Sequence, residues 1–160
     1  MKRLLLGLLV FAGLFSLSFS QTETPFFKIK YDPKANSETQ LQNAITLAKE
    51  SGKNILLDVG GEWCIWCHRL DSLFEANNTL AEFVLQNYVP VKIDVSKGHS
   101  NEEFLSRFPK IGGYPHLFVL DSNGKFLHSQ DTGDLEEGKH HSPDKVMAFL
   151  KLWAPKKTHN

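Results

Sequence analysis

The stretch Asn54-Ile55-Leu56-Leu57-Asp58-Val59-Gly60-Gly61-Glu62-Trp63-Cys64-Ile65-Trp66-Cys67-His68 decides how this chain is read. Ile55 to Val59 is apolar except for Asp58, which is the pattern of a buried strand. Ile65 to Ala76 carries Cys67, Leu70, Leu73 and Phe74 at helical spacing. Cys64 and Cys67 are the only cysteines of the chain, and they stand where the strand gives way to the helix. The first turn of a helix leaves its N–H groups unpaired, and these favour a thiolate. Two residues between the cysteines allow one thiolate to attack and the other to resolve. The pattern therefore points to dithiol–disulfide exchange.

Outward from this stretch the chain alternates helices and strands. Upstream, Leu41, Ala44, Ile45 and Ala48 mark a helix, with Ser37 and Gln40 as an expected capping box and Gly52 as its stop. Phe26 to Lys30 reads as a strand. Downstream, Asn77-Asn78 ends the cysteine helix and Thr79 to Gln86 reads as a further short one. Val89 to Val95 is a second strand, and Glu102 to Phe108 a short helix. Pro115 leads the strand His116 to Leu120. Asp121-Ser122-Asn123-Gly124 is a hairpin turn, and Phe126-Leu127-His128 returns antiparallel. Asp131 to His141 reads as a polar loop. Ser142 caps a last helix with Pro143 at its first position, and Val146, Phe149, Leu150 and Trp153 form its apolar stripe.

The N-terminus reads as an address. Lys2-Arg3 is a basic start, Leu4 to Phe15 is almost wholly apolar, and Ser18-Phe19-Ser20 offers small residues for cleavage before Gln21. The expectation is an exported chain: a signal peptide over 1–20, a leader over 21–35, one domain over 36–154 and a frayed tail over 155–160. Lys2 and Arg3 leave with the signal and no acid does, so 18 basic and 18 acidic residues become 16 and 18, a formal −2. Such a balance argues against a nucleic-acid partner. A domain of this length builds its own core, so two cysteines in one tight motif are better explained by chemistry than by stapling.

With these features together, the chain resembles the thioredoxin superfamily over about residues 36–153. Four features carry the resemblance: Trp63-Cys64-x-x-Cys67, Asp58 six residues before Cys64, Gly113-Tyr114-Pro115 at the hairpin, and the turn Asn123-Gly124-Lys125. Thioredoxin itself has Gly-Pro between its cysteines and threonine after the proline; this chain has Ile65-Trp66 and His116. The resemblance implies an α/β fold, with a central mixed sheet flanked by helices, a C-terminal β-hairpin and a closing helix. It implies a cis bond before Pro115, which would leave the backbone of Tyr114 free to pair with an extended substrate.

The site expected on this reading has Cys64 as nucleophile, with an exposed sulfur, and Cys67 as resolving thiol. Asp58 is the candidate base for Cys67, because an acid desolvated on a strand acquires a raised pKa suited to proton transfer. Trp63, Trp66, Tyr114 and Pro115 are the candidate substrate-binding residues. Exported protein disulfides are the expected substrates and a membrane-bound carrier the expected electron donor. A monomer without cofactor or metal is expected. Ile65 and Trp66 offer Cys64 no hydrogen-bond donor, which leans towards a reductant rather than an oxidant. Two other readings share the residues. Cys64-x-x-Cys67-His68 is also a c-type haem attachment pattern, with Met147 or another histidine as second ligand. A copper site would draw on Cys64, Cys67 and His68, with His140-His141 more distant.

Overall fold

The computed structural model describes residues 28–98 and 101–156. The expected signal segment 1–20 and residues 157–160 of the tail lie outside them. Among the described residues five α-helices and six strands follow in order: α1 Ser37–Ser51, β1 Asn54–Gly60, α2 Ile65–Ala76, α3 Asn78–Asn87, β2 Tyr88–Asp94, α4 Glu102–Leu105, β3 His116–Leu120, β4 Phe126–Asp131, β5 Glu136–Glu137, β6 His140–His141 and α5 Pro143–Trp153. The main sheet has the order β2-β1-β3-β4, with β1 parallel to β2 and antiparallel to β3, and β3 antiparallel to β4. This is the mixed sheet, hairpin and closing helix expected of the chain.

All seven residues of β1 are buried, because helices cover both faces of the sheet. Alternation sorts the side chains. Ile55, Leu57 and Val59 join Leu41, Ala44 and Ala48 of α1 and Phe104 of α4 on one face. Leu56 joins Leu70 and Phe74 of α2, Leu80 and Val84 of α3, and Val146, Phe149 and Leu150 of α5 on the other. Asp58 is two residues beyond Leu56, so it shares the α2 face. The register pairs Asp58 with Lys92 on β2, and Lys92 stands between Val91 and Ile93 of the α1 face. Both polar side chains therefore point beneath the cysteine helix.

Three local readings are corrected. The cap of α1 is Asn36, whose carboxamide accepts from the Thr39 N–H at 2.8 Å; Ser37 lies buried inside the helix and the Gln40 amide donates to the Lys92 carbonyl. Residues 28–30 of the expected Phe26–Lys30 strand form no strand. The expected polar loop 131–141 is ordered: β4 runs to Asp131, a 3₁₀ turn spans Thr132–Leu135, and β5 and β6 form a small ribbon. Buried Thr132, Leu135 and His141 hold it against the body, which alternation alone did not reveal.

Candidate active site

Cys64 and Cys67 are joined in a disulfide, with Cα atoms 5.2 Å apart. Cys64 caps α2: its Sγ accepts from the Cys67 N–H at 3.1 Å, so the sulfur occupies the positive end of the helix. The exposed sulfur expected for Cys64 is not seen in this oxidised state. Cys64 is only 4% exposed, because Tyr31, Cys67 and Trp66 pack around it. Cys67 is fully buried one turn inside.

Beneath Cys67 lies a charged cluster that burial makes costly and pairing makes tolerable. Asp58 is completely enclosed. Its Oδ1 accepts from the Tyr31 hydroxyl at 2.7 Å, and its Oδ2 faces Lys92 Nζ at 3.6 Å. The Lys92 ammonium also donates to both carboxylate oxygens of Asp71, each at 2.6 Å, and lies 4.4 Å above the Tyr31 ring. Desolvation pushes the Asp58 carboxyl above its ordinary range, against the pull of Lys92 and Tyr31. Desolvation likewise raises Asp71, to about 6, with Lys92 opposing. The Tyr31 phenol is raised well above its usual value, first by burial and then by Asp58 beside it.

Of this cluster the sequence pointed to Asp58 alone. Asp71 was legible as the residue one helical turn after Cys67, on its face of α2. Lys92 was a polar interruption of an apolar strand. Tyr31 lay in a segment without periodicity, and its leader is bound to the motif: the Tyr31 N–H donates to Glu62 Oε1 at 3.1 Å.

The outer side is apolar and open. Trp63 is 58% exposed and its ring meets that of Tyr114 edge-on, with centroids 5.7 Å apart. Tyr114 is 37% exposed and joined to Pro115 by a cis peptide bond. Pro115 is buried, with its carbonyl accepting from the Thr132 hydroxyl. Ile65 is also exposed, at 59%. Trp66 turns inward instead. It is half-buried between the Arg69 guanidinium, 4.3 Å from its ring centre, and His141. Thus Trp63 and Tyr114 come together at the surface, while Trp66 belongs to the packing around α2. His68 is held by the motif's own backbone, its Nε2 lying 2.8 Å from the Glu62 carbonyl. Met147 packs against the α2-face core, and His141 is buried beside Trp66. Among the described residues no three His, Cys, Asp or Glu side chains form a metal-binding group, and no helix is long and apolar enough to cross a membrane.

The chain is similar to the thiol:disulfide interchange protein DsbD of Vibrio cholerae, 26% identical over 134 residues that make up 78% of this chain and 22% of that protein. It is 31% identical to the protein disulfide-isomerase of Hordeum vulgare over 107 residues, 64% of this chain and 20% of that protein. The chain thus spans about a fifth of these relatives' length. A disulphide isomerase from Xylella fastidiosa superposes with a TM-score of 0.67 at 28% identity, covering 76% of this chain and 94% of that one. The oxidised C-terminal domain of Neisseria meningitidis DsbD gives 0.55 at 19% identity, covering 78% and 99%, a likeness of fold alone. The thioredoxin-like family profile matches residues 36–122. The chain belongs to the thioredoxin-like family, with the Cys64–Cys67 disulfide at the start of its α2.

Proposed function

We propose that this protein reduces disulfides of exported protein substrates, with Cys64 as nucleophile, Cys67 as resolving thiol and Asp58 as the acceptor of the Cys67 proton. The observation that carries this reading is the placement of a fully buried carboxyl beneath the cysteine helix, tied to Tyr31, which packs on the disulfide. In the forward direction Cys64 thiolate attacks a substrate disulfide and one substrate sulfur leaves as thiolate. Cys67 then loses its proton and attacks Cys64 Sγ. The Cys64–Cys67 bond forms, the mixed disulfide breaks, and the substrate departs with two more electrons than it brought.

What surrounds the sulfurs supports this direction. A dithiol whose thiolates are poorly stabilised holds its disulfide form more firmly and gives electrons away more readily. Beyond the Cys67 N–H, the side chains of Ile65 and Trp66 add no donor to Cys64. Two carboxyl groups, Asp58 and Asp71, share the single ammonium of Lys92 nearby. Exposed Trp63 and Tyr114, with buried Pro115 behind Tyr114, form the substrate-facing rim in this reading. A reductant outside the cytoplasm needs resupply, for which a membrane-bound electron carrier is the fitting partner, and the chain works as a monomer. The apolar N-terminal run and the DsbD likeness support export.

The test is the equilibrium reduction potential of the Cys64–Cys67 pair. A value near that of thioredoxin, about −270 mV, is expected. A value near about −120 mV would make the protein an oxidant. A pair that never closes in solution would end the exchange reading.

A further inference from the structure

Tyr31 touches Asp58 through its hydroxyl and packs in one cluster with Cys67. A side-chain carbon added at Gly60 would lie 2.5 Å from Cys67 Sγ and 2.9 Å from the Tyr31 hydroxyl oxygen, so the sulfur and the hydroxyl crowd one point at the end of β1. Tyr31 is 3% exposed and packs with Cys64 and Cys67 in one cluster. Its single hydroxyl proton is committed to Asp58 Oδ1 at 2.7 Å. The lone pairs of the same oxygen remain able to accept from a thiol. The titratable groups that face Tyr31 are Asp58 on β1, Lys92 on β2, Asp71 on α2 and Glu62 in the connecting turn.

We propose that the Tyr31 hydroxyl relays the Cys67 proton to Asp58 during resolution of the mixed disulfide. The inference rests on the exchange reaction proposed above. The Cys67 S–H proton passes to Tyr31 Oη as the Tyr31 O–H proton passes to Asp58 Oδ1. The phenol is neutral before and after, and its proton now points at the new thiolate. That thiolate attacks Cys64 Sγ, the intramolecular disulfide forms, and the substrate sulfur leaves with the electron pair of the broken bond. Asp58 later returns its proton to solvent. Burial and the neighbouring Asp58 both oppose ionisation of the phenol, which suits a relay and not a base. The residue that performs this step comes from the leader, ahead of α1, and the Tyr31 N–H bond to Glu62 holds it in place.

Reduced full chain mixed with glutathione disulfide separates the two chemical steps, since attack by Cys64 is bimolecular and ring closure by Cys67 is not. Tyr31→Phe keeps the ring and removes the hydroxyl. It is expected to leave the bimolecular step unchanged and to slow closure about tenfold or more. In a Cys64→Ser background it is expected to move the Cys67 thiol titration upward, because the thiolate loses its donor. Wild-type protein supplies a check that needs no folded variant: closure in mixtures of light and heavy water should show two protons in flight. Closure and titration that match wild type in Tyr31→Phe, or a one-proton dependence in wild type, would overturn the relay. A wild-type protein that performs no exchange would instead end the function proposed above, and the Cys67 titration in Cys64→Ser would still decide whether Tyr31 governs that thiol.

Discussion

Lys92 Nζ lies 3.6 Å from Asp58 Oδ2, and both side chains are wholly shut off from solvent. The same ammonium is held at 2.6 Å by Asp71, whose side chain is 16% exposed. One cation thus serves two carboxyl groups across β1, β2 and α2. Removing it leaves Asp58 buried without its cation, with the Tyr31 hydroxyl bond still in place. Lys92→Met is expected to cost about 3–5 kcal/mol of stability, the range for breaking one side of a buried pair. Urea unfolding of the oxidised protein at neutral pH measures this. A variant as stable as wild type would show that the pair contributes nothing net.

The raised carboxyl groups give stability a pH dependence of definite sign. Asp71 titrates at about 6 in the folded protein, and an unfolded aspartate near about 3.9. Between those values the native state binds more protons than the unfolded chain. Stability is therefore greatest on the acid side of the window and falls as pH rises through it. Asp58 is displaced in the same direction and steepens the loss. Asp71→Asn should flatten the unfolding free energy between about pH 4 and pH 6. An unaltered slope in that variant would place the titrating group elsewhere.

Asp58→Asn removes the proton acceptor while keeping the side chain's size and its contact with Tyr31. Resolution of the mixed disulfide is expected to slow about a hundredfold at neutral pH, the lower end for loss of a general base. Because an amide needs no cation, the same variant should lose little stability or gain some. Rapid-quench trapping of the mixed disulfide reads the first effect. Unchanged turnover at pH 7 would reject the role.

How much of this was legible follows from where each residue stands. The strand–cysteine–helix stretch, the hairpin behind Pro115 and the last helix with Pro143 at its start are local patterns, and local patterns survive in sequence, although Ser142 makes no side-chain capping bond there. Asp58 was legible because its distance from Cys64 is fixed along one strand. Lys92 was not, since its meaning depends on which strand pairs with β1 and in what register. Tyr31 lies outside any regular element, and nothing periodic announces it. Trp66 shows what spacing leaves out. Its place between the cysteines is local, but the ordered ribbon after β4 that brings His141 against its ring is not. That ribbon reads as polar because its buried members are scattered among charged ones.

The aromatic pair at the surface should discriminate between substrates by size. Trp63 and Tyr114 touch edge-on and are both open to solvent. A protein disulfide can bury them; a small disulfide cannot. Trp63→Ala or Tyr114→Ala is expected to raise KM for a protein disulfide by about tenfold, within the 1–2 kcal/mol typical of a truncated interface aromatic. kcat and the rate with glutathione disulfide should hold. Equal losses on large and small substrates would mean that the pair supports the site's structure and not its contact with substrate.

Gly60 has no backbone reason to be glycine, for it lies in β1 without a positive φ. Its reason is the space that Cys67 Sγ and the Tyr31 hydroxyl occupy. Gly60→Ala places a methyl group in contact with both, and overpacking of this kind costs about 1–3 kcal/mol. The hydroxyl is one of three atoms in the way, with Cys67 Sγ and Tyr31 Cζ, so Tyr31→Phe removes part of the clash. The two substitutions should therefore be coupled: the double variant is expected to be more stable than the sum of the single losses predicts, by about 0.5 kcal/mol or more. Thermal unfolding of the four proteins closes the cycle. Strict additivity would separate Tyr31 from Gly60 and Cys67, and with it remove the close approach on which the proton route depends.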